Sequence, residues 1–403
     1  MRLSEIFVLD PGSRLWYINN IICRRSILTG AVRFVHLEIE VGGVCSLAYN
    51  VGRRGQKMTK ARNSRVLWVI PLLVAIFSLR FPAYAQYGGG TGDPNDPYLI
   101  YTAEQLYDIG TNPEDWDTHF KLMDDIDLSN FSNFHIIGRD RDNYFSGSFD
   151  GNWHIISNFS YTIPVMNNVG LFGYVSDPNT EIKNLRLVNC HITVSKGENI
   201  GSLVGHLKAG SIANCSTLNC QISGDLYVGG LVGRNGYMGR RVNPVYTGMI
   251  VNCSSTGSVA GASYVGGLLG INSLGKIINC YSTSLSTAKT VVGGLIGCNN
   301  DTIINCYAAG RVKAYEISGG LAGYHKYSTK ASGIFWDIET SEQSTDKSGI
   351  GKNTAQMRTA STFIEAGWDF VQETMNGTED IWWINEGQDY PRLWWENGDE
   401  TSS

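Results

Sequence analysis

From Val169 onward, apolar and small residues recur in a short pattern that closes on glycine: Val169-Gly-Leu-Phe-Gly173, Ile200-Gly-Ser-Leu-Val-Gly205 and Val228-Gly-Gly-Leu-Val-Gly233. It continues in Val265-Gly-Gly-Leu-Leu-Gly270, Val292-Gly-Gly-Leu-Ile-Gly297 and Ser318-Gly-Gly-Leu-Ala-Gly323. A second pattern is interleaved: Val188-Asn-Cys190, Ala213-Asn-Cys215, Val251-Asn-Cys253, Ile278-Asn-Cys280 and Ile304-Asn-Cys306. The closing glycines step by 32, 28, 37, 27 and 26 residues, and these cysteines by 25, 38, 27 and 26. A period near 26 that tolerates insertions marks a solenoid, in which each repeat buries its apolar face only against its neighbours.

Segments such as Lys276-Ile-Ile-Asn-Cys-Tyr-Ser282 are short, β-branched and bounded by Gly, Ser and Asn, and predict strands. Alternation places Ile278, Cys280 and Ser282 on one face and Asn279 and Tyr281 on the other. In Val-Gly-Gly-Leu the apolar residues are three apart, so both point inward only where the chain bends. Glycine is expected to supply that bend and to let neighbouring rungs approach. The fold class is all-β: a parallel β-helix, right-handed, with rungs stacked at ~4.8 Å. The Asn-Cys pairs then form a structural ladder of Cys190, Cys215, Cys253, Cys280 and Cys306. Parallel stacking holds their Cβ atoms ~4.8 Å apart, beyond the preferred disulfide separation, so buried free thiols are expected. Cys220 and Cys298 fall off this ladder and receive no partner.

Both ends of the array read as caps. Pro97-Tyr-Leu-Ile100 predicts a strand, and Thr102-Ala-Glu-Gln-Leu-Tyr-Asp-Ile109 a short amphipathic helix capped by Thr102. Phe120-Lys-Leu122, Ile126-Asp-Leu128 and Phe145-Ser-Gly-Ser-Phe149 fit irregular first coils. At the other end 354–365 is helix-like, while Ile381-Trp-Trp-Ile384 and Arg392-Leu-Trp-Trp395 predict an aromatic core that covers the last rung.

One apolar run lies outside this scheme. Val66–Leu79 spans 14 residues, short of the ~20 that a membrane helix needs. Lys60, Arg62 and Arg65 precede it, and a small-x-small site ends at Ala85, so cleavage is expected between Ala85 and Gln86 by the general secretory route. A leader from Met58 to Ala85 leaves residues 1–57 as an upstream extension of the reading frame, without structure; Arg53-Arg54-Gly55 is codable as a purine-rich ribosome-binding sequence. The chain thus divides into 1–57, the leader 58–85, an N-terminal cap with irregular coils at 86–168, the repeat solenoid at 169–338, the C-terminal cap at 339–396 and a tail at 397–403. The whole chain has a formal charge of −5, but residues 86–403 hold 20 Lys+Arg against 33 Asp+Glu, a net −13. That balance excludes nucleic acid as a partner and disfavours anionic membranes. No integral membrane span remains after the leader.

Gly230-Leu-Val-Gly233, Gly267-Leu-Leu-Gly270, Gly294-Leu-Ile-Gly297 and Gly320-Leu-Ala-Gly323 resemble the core of the GLUG-motif repeat family of bacterial exported and surface proteins. Gly88-Gly-Gly-Thr91, Phe145-Ser-Gly-Ser-Phe-Asp-Gly151 and Asp389-Tyr-Pro-Arg-Leu393 extend the resemblance over almost all of Gly88 to Glu396. It implies a β-solenoid on an exported protein, extracellular, at the cell surface or in the periplasm, and carries no catalytic residues to transfer. GLUG repeats also accompany metallopeptidase domains that cleave immunoglobulin A; those need His-Glu-x-x-His, and none of the seven histidines here precedes Glu.

Candidate chemistry is sparse. Tyr281 and Tyr307 fall at one position of successive repeats, as do Tyr227 and Tyr264, and an exposed aromatic column can stack on sugar rings; mutual stacking within the ladder is the competing account. The excursion Arg234–Met249 is the longest insertion, with Arg234, Arg240 and Arg241 as candidate binding residues on a loop. Asp124, Asp125 and Asp127 cluster without a calcium-loop pattern and read as turn carboxylates. No catalytic residue, metal ligand or cofactor is assigned. The expectation is a secreted or surface β-solenoid, non-enzymatic, with a binding, adhesion or spacer role, its partners extracellular glycans or surface proteins. The alternative is a polysaccharide lyase or glycoside hydrolase on the same scaffold, which requires a groove with Arg or Lys beside two converging carboxylates.

Overall fold

The computed structural model describes residues 86–396, apart from 132–133, 238–246, 327–329, 347 and 372, together with four strands among the first 41 residues. The chain divides into two compact units, Met1–Arg80 and Phe81–Ser403. In the first, strands Arg2–Leu3, Ile6–Leu9 and His36–Val41 each pair antiparallel with Leu15–Arg24. This differs from the expectation of no structure in 1–57; the aromatic and β-branched run Leu15-Trp-Tyr-Ile suits a strand. The expected leader 58–85 with Ala85, the tail 397–403, and Arg240 and Arg241 lie outside the described residues. Among the described residues no helix is long and apolar enough to cross a membrane.

The second unit is a parallel β-solenoid of about seven turns. One inward column runs in strict register through Phe120, Phe149, Ile182, Ile212, Ile250, Ile277 and Ile303, every one of them buried. A second sheet collects the strands that enter each glycine pattern: Glu198–Ile200, Leu226–Gly229, Ser263–Gly266, Val291–Gly293 and Ile317–Gly319. Burying each such Val, Leu or Ile contributes ~1.5–3 kcal/mol, so the columns carry most of the stabilisation.

Glycine bends the chain where expected, at Gly230-Leu231, Gly267-Leu268, Gly294-Leu295 and Gly320-Leu321, and asparagine and tyrosine add further, left-handed corners. Tyr227 and Tyr264, just before Val-Gly-Gly-Leu, adopt φ of 55° and 54°, and Asn168 and Asn199 take the same place in earlier repeats with φ of 57° and 66°. The glycines act through their missing Cβ: one on Gly230 would overlap the Ser255 hydroxyl and the Gly267 carbonyl of the next rung. Asn214, Asn252, Asn279 and Asn305 are likewise left-handed, φ 50° to 53°. Each turns the chain between two inward residues, so Ile277 and Cys280 point inward while Ile278 does not. This corrects the simple alternation, because one left-handed residue resets the phase of a strand. Asparagine tolerates that region, and its amides add a ladder: Asn214 Nδ2 donates to Asn184 Oδ1 at 3.0 Å, Asn252 to Asn214 at 3.2 Å and Asn279 to Asn252 at 3.1 Å.

The cysteine ladder also needs revision. Ser216, Ser254, Tyr281 and Tyr307 stand in register, so the preceding Cys215, Cys253, Cys280 and Cys306 form one column. Leu185, not Cys190, opposes Cys215. Cys190 belongs to another corner, where His191 opposes Gln221 and Cys190 N–H donates to Cys220 Sγ at 3.3 Å. Cys220 therefore has a neighbour after all. The seven cysteines of this unit are buried and free, and the thiols of Cys253, Cys280 and Cys306 each donate at 3.1 Å to the carbonyl two residues back.

The caps match their expected places. Helix Ala103–Thr111 starts in a capping box between Thr102 and Gln105. At the other end Trp382–Trp383 pairs antiparallel with Arg392–Leu393, and Trp368, Trp382, Phe363, Phe370 and Leu393 form a separate apolar core.

Candidate functional site

Tyr281 and Tyr307 lie inside that core rather than on an open face. Their rings stack at 5.0 Å and 3°, and only 7% and 1% of their surface is exposed. The C-terminal cap covers them, which removes them as a sugar-stacking surface. Arg234 lies on strand Val232–Asn235, between the rings of Tyr227 (5.5 Å) and Tyr237 (5.7 Å), and its Nε donates to Ser273 Oγ at 3.2 Å. Asp125 accepts from Ile155 N–H at 2.9 Å, and Asp127 from Asn158 Nδ2 at 2.7 Å; the Asn158 bond leads those that hold the Asp127 carboxyl below its usual range. Those carboxylates serve the turns.

The side chains that converge come from a segment the sequence reading assigned only to the cap. Asp389–Glu396 runs as a strap back along the stack. Tyr390 OH donates to the buried Asp337 at 2.7 Å, and Tyr307 OH to the Pro391 carbonyl at 2.6 Å. Tyr281 OH and Ser254 Oγ each donate at 2.8 Å to opposite oxygens of Glu396, and Leu393 N–H adds a third bond at 3.0 Å. Burial still raises the Glu396 carboxyl above its ordinary value despite these donors. Farther along, Trp395 stands 6.0 Å from the Arg186 guanidinium, and Trp394 and Trp395 meet Trp153 at 5.7 and 5.8 Å.

Beneath the strap the register creates a hollow. The column runs Arg186, Ser216, Ser254, Tyr281, Tyr307, so it falls from two large rings to two small hydroxyls. The result is a groove of about 220 Å³. Ser216, Thr217, Thr256 and Thr283 line it, together with Arg186, Asp389, Arg392 and Glu396. Arg392 Nη2 lies 3.7 Å from Asp389 Oδ2, a loose pair with both partners well exposed. The change from Cys-Ser to Cys-Tyr after each Asn was visible in the sequence and signals this hollow; nothing local signals that the strap reaches it. Two arginines and two carboxylates thus line one groove, the combination the enzymatic alternative required. Glu396, however, already accepts three hydrogen bonds from the protein.

The model of the GLUG motif matches residues 224–260, 261–287 and 290–313. Residues 224–313 thus carry GLUG repeats. The chain is 35% identical over 151 residues to halomucin of Haloquadratum walsbyi, covering 36% of this chain and 2% of halomucin. It is 31% identical over 215 residues to a candidate Gly-rich membrane protein of Evansella cellulosilytica, covering 41% of this chain and 24% of that one. The chain therefore spans under a quarter of the length of these curated relatives. Among solved structures, a candidate immunoglobulin A1 protease from Bacteroides ovatus superposes with a TM-score of 0.55 at 22% identity, over 77% of this GLUG-repeat chain and 96% of its own. That likeness is one of fold.

Proposed function

We propose that this GLUG-repeat chain is exported and works at the cell surface or outside the cell as a non-catalytic binding or adhesion module, its solenoid a rigid spacer. The observation that carries the reading is the state of Glu396: three protein donors engage the deepest carboxylate of the groove, so it is poorly placed as a general acid or nucleophile. The relatives named a mucin and a membrane protein fit a surface setting. A catalytic reading draws on the same groove, where Arg186, Arg392, Asp389 and Glu396 meet. The test is to incubate the full chain with neutral and acidic glycans and to screen it against immobilised glycans and matrix proteins. Binding without new reducing ends or unsaturated products is the expected result. Turnover abolished by Asp389→Asn would replace the binding module with an enzyme.

A further inference from the structure

The geometry points to the groove under the strap as a site for one neutral hexopyranose unit of a glycan, with the next unit stacked on Trp153 and Trp394 at its open end. This rests on the binding reading above and names its ligand and its place.

The groove's size limits the occupant. At about 220 Å³ it is smaller than the ~300–1,000 Å³ of sites for drug-sized ligands, and suits a single ring. Its lining includes the hydroxyl residues Ser216, Thr256 and Thr283, with Tyr281 and Tyr390 beside them, while Thr217 turns its own hydroxyl inward to Ser255. Its charges balance, two guanidiniums against two carboxylates, which disfavours a ligand with a net charge. Asp389 and Arg392 sit side by side at 3.7 Å and offer an acceptor and a donor to neighbouring hydroxyls of a sugar. Glu396 is excluded as a direct contact because the protein's own donors engage it.

Trp153 supplies the second observation. It adopts φ +68°, following Asn152 at φ +50°, and a bulky residue in that region is an outlier that the surroundings must enforce. The strained turn leaves its ring 48% exposed against Trp394, itself 44% exposed, while Trp395 links the pair to Arg186 of the groove. An exposed indole pair joined through Trp395 to the Arg186 side of the groove presents π-faces to a chain that leaves the pocket on that side.

The experiment titrates the full chain with methyl hexosides, their disaccharides and the matching uronic acid glycosides, using ligand-observed NMR and calorimetry. Wild type is expected to bind neutral hexosides, and disaccharides more tightly. Ser216→Tyr places a large ring in the hollow, one rung beyond Ser254, and its binding is expected to fall at least about tenfold with an unchanged melting temperature. Asp389→Asn, at an exposed position, is expected to fall about tenfold through loss of a charge-assisted hydrogen bond. Trp153→Gly accepts the positive φ without strain and should remove the disaccharide advantage while leaving monosaccharide affinity intact. Equal binding by wild type and both groove variants would overturn the assignment, as would tighter binding of the uronic glycosides. If the full chain binds matrix proteins or other glycans but no hexoside, the groove assignment fails and the binding module stands. If it binds nothing in either screen, both fall.

Discussion

The Asn-Cys dipeptide does two jobs that neither residue does alone. Asparagine accepts the left-handed angle that turns the strand, and its amide bonds to the asparagine of the next rung, while the following cysteine drops a small apolar group into the core. Asn279→Ala loses both contributions of Asn279: the backbone penalty is ~1–2 kcal/mol and the amide bond ~1 kcal/mol. Asn279→Gly loses only the bond and part of the backbone entropy. Chemical denaturation should therefore rank wild type, glycine and alanine in falling order, with alanine about 1–2 kcal/mol below glycine; equal losses would show that the corner is not held by φ. The same dipeptide explains what could be read from the sequence and what could not. Its period gave a solenoid. Its phase did not follow, because one turn has more than one left-handed corner, and Val188-Asn-Cys190 looks like Val251-Asn-Cys253 while sitting at another. Local chemistry identifies a corner without saying which one.

At the scale of elements, the strap differs from the rungs because it is held by a few polar bonds across many rungs rather than by a ladder. Ser254 and Glu396 are 142 residues apart in sequence, and no periodicity connects them, which is why the groove was not legible while the aromatic cap was. Glu396 makes strap docking sensitive to pH. Burial raises its carboxyl in the folded state above the ordinary 4.5, so the folded form holds its proton more tightly than the unfolded one. The stability it contributes is fully present below the ordinary value and is lost as pH rises through the raised one. Hydrogen exchange of residues 389–396 should accelerate, relative to the intrinsic chemical rate, as pH rises from about 4.5. Glu396→Gln should flatten that dependence. A strap that loosens on acidification instead would contradict this sign.

Over the whole molecule the pH response reverses, because the stack also buries a base. His206 is 4% exposed; its Nε2 lies 3.2 Å from the Gly236 carbonyl, so Nε2–H donates, and its ring meets Tyr174 at 4.8 Å. Burial, and then the charge of Arg234, push its pKa down to about 3 from 6.5, with Lys208 adding in the same direction. His325, at the far end of the buried ladder Asn235, Asn272, Asn299, is lowered as well, again by burial. A base with a depressed folded pKa contributes stability above its unfolded value that is lost as pH falls toward the folded one. At ~1.4 kcal/mol per unit, His206 alone costs on the order of 4 kcal/mol by pH 3. Its rung lies mid-array, and each rung packs only against its immediate neighbours. Protonation there opens the stack from within rather than fraying its capped ends. The melting temperature should hold above pH 6.5 and drop steeply between pH 6 and 4, roughly the window between the two pKa values. His206→Gln keeps a donor for the Gly236 carbonyl but does not titrate; it should melt slightly below wild type at pH 7 and above it near pH 4. Parallel acid limbs for the two proteins would move the cause to the protein's carboxylates, many of them exposed, whose neutralisation erases the net −13 of residues 86–403 without touching the core.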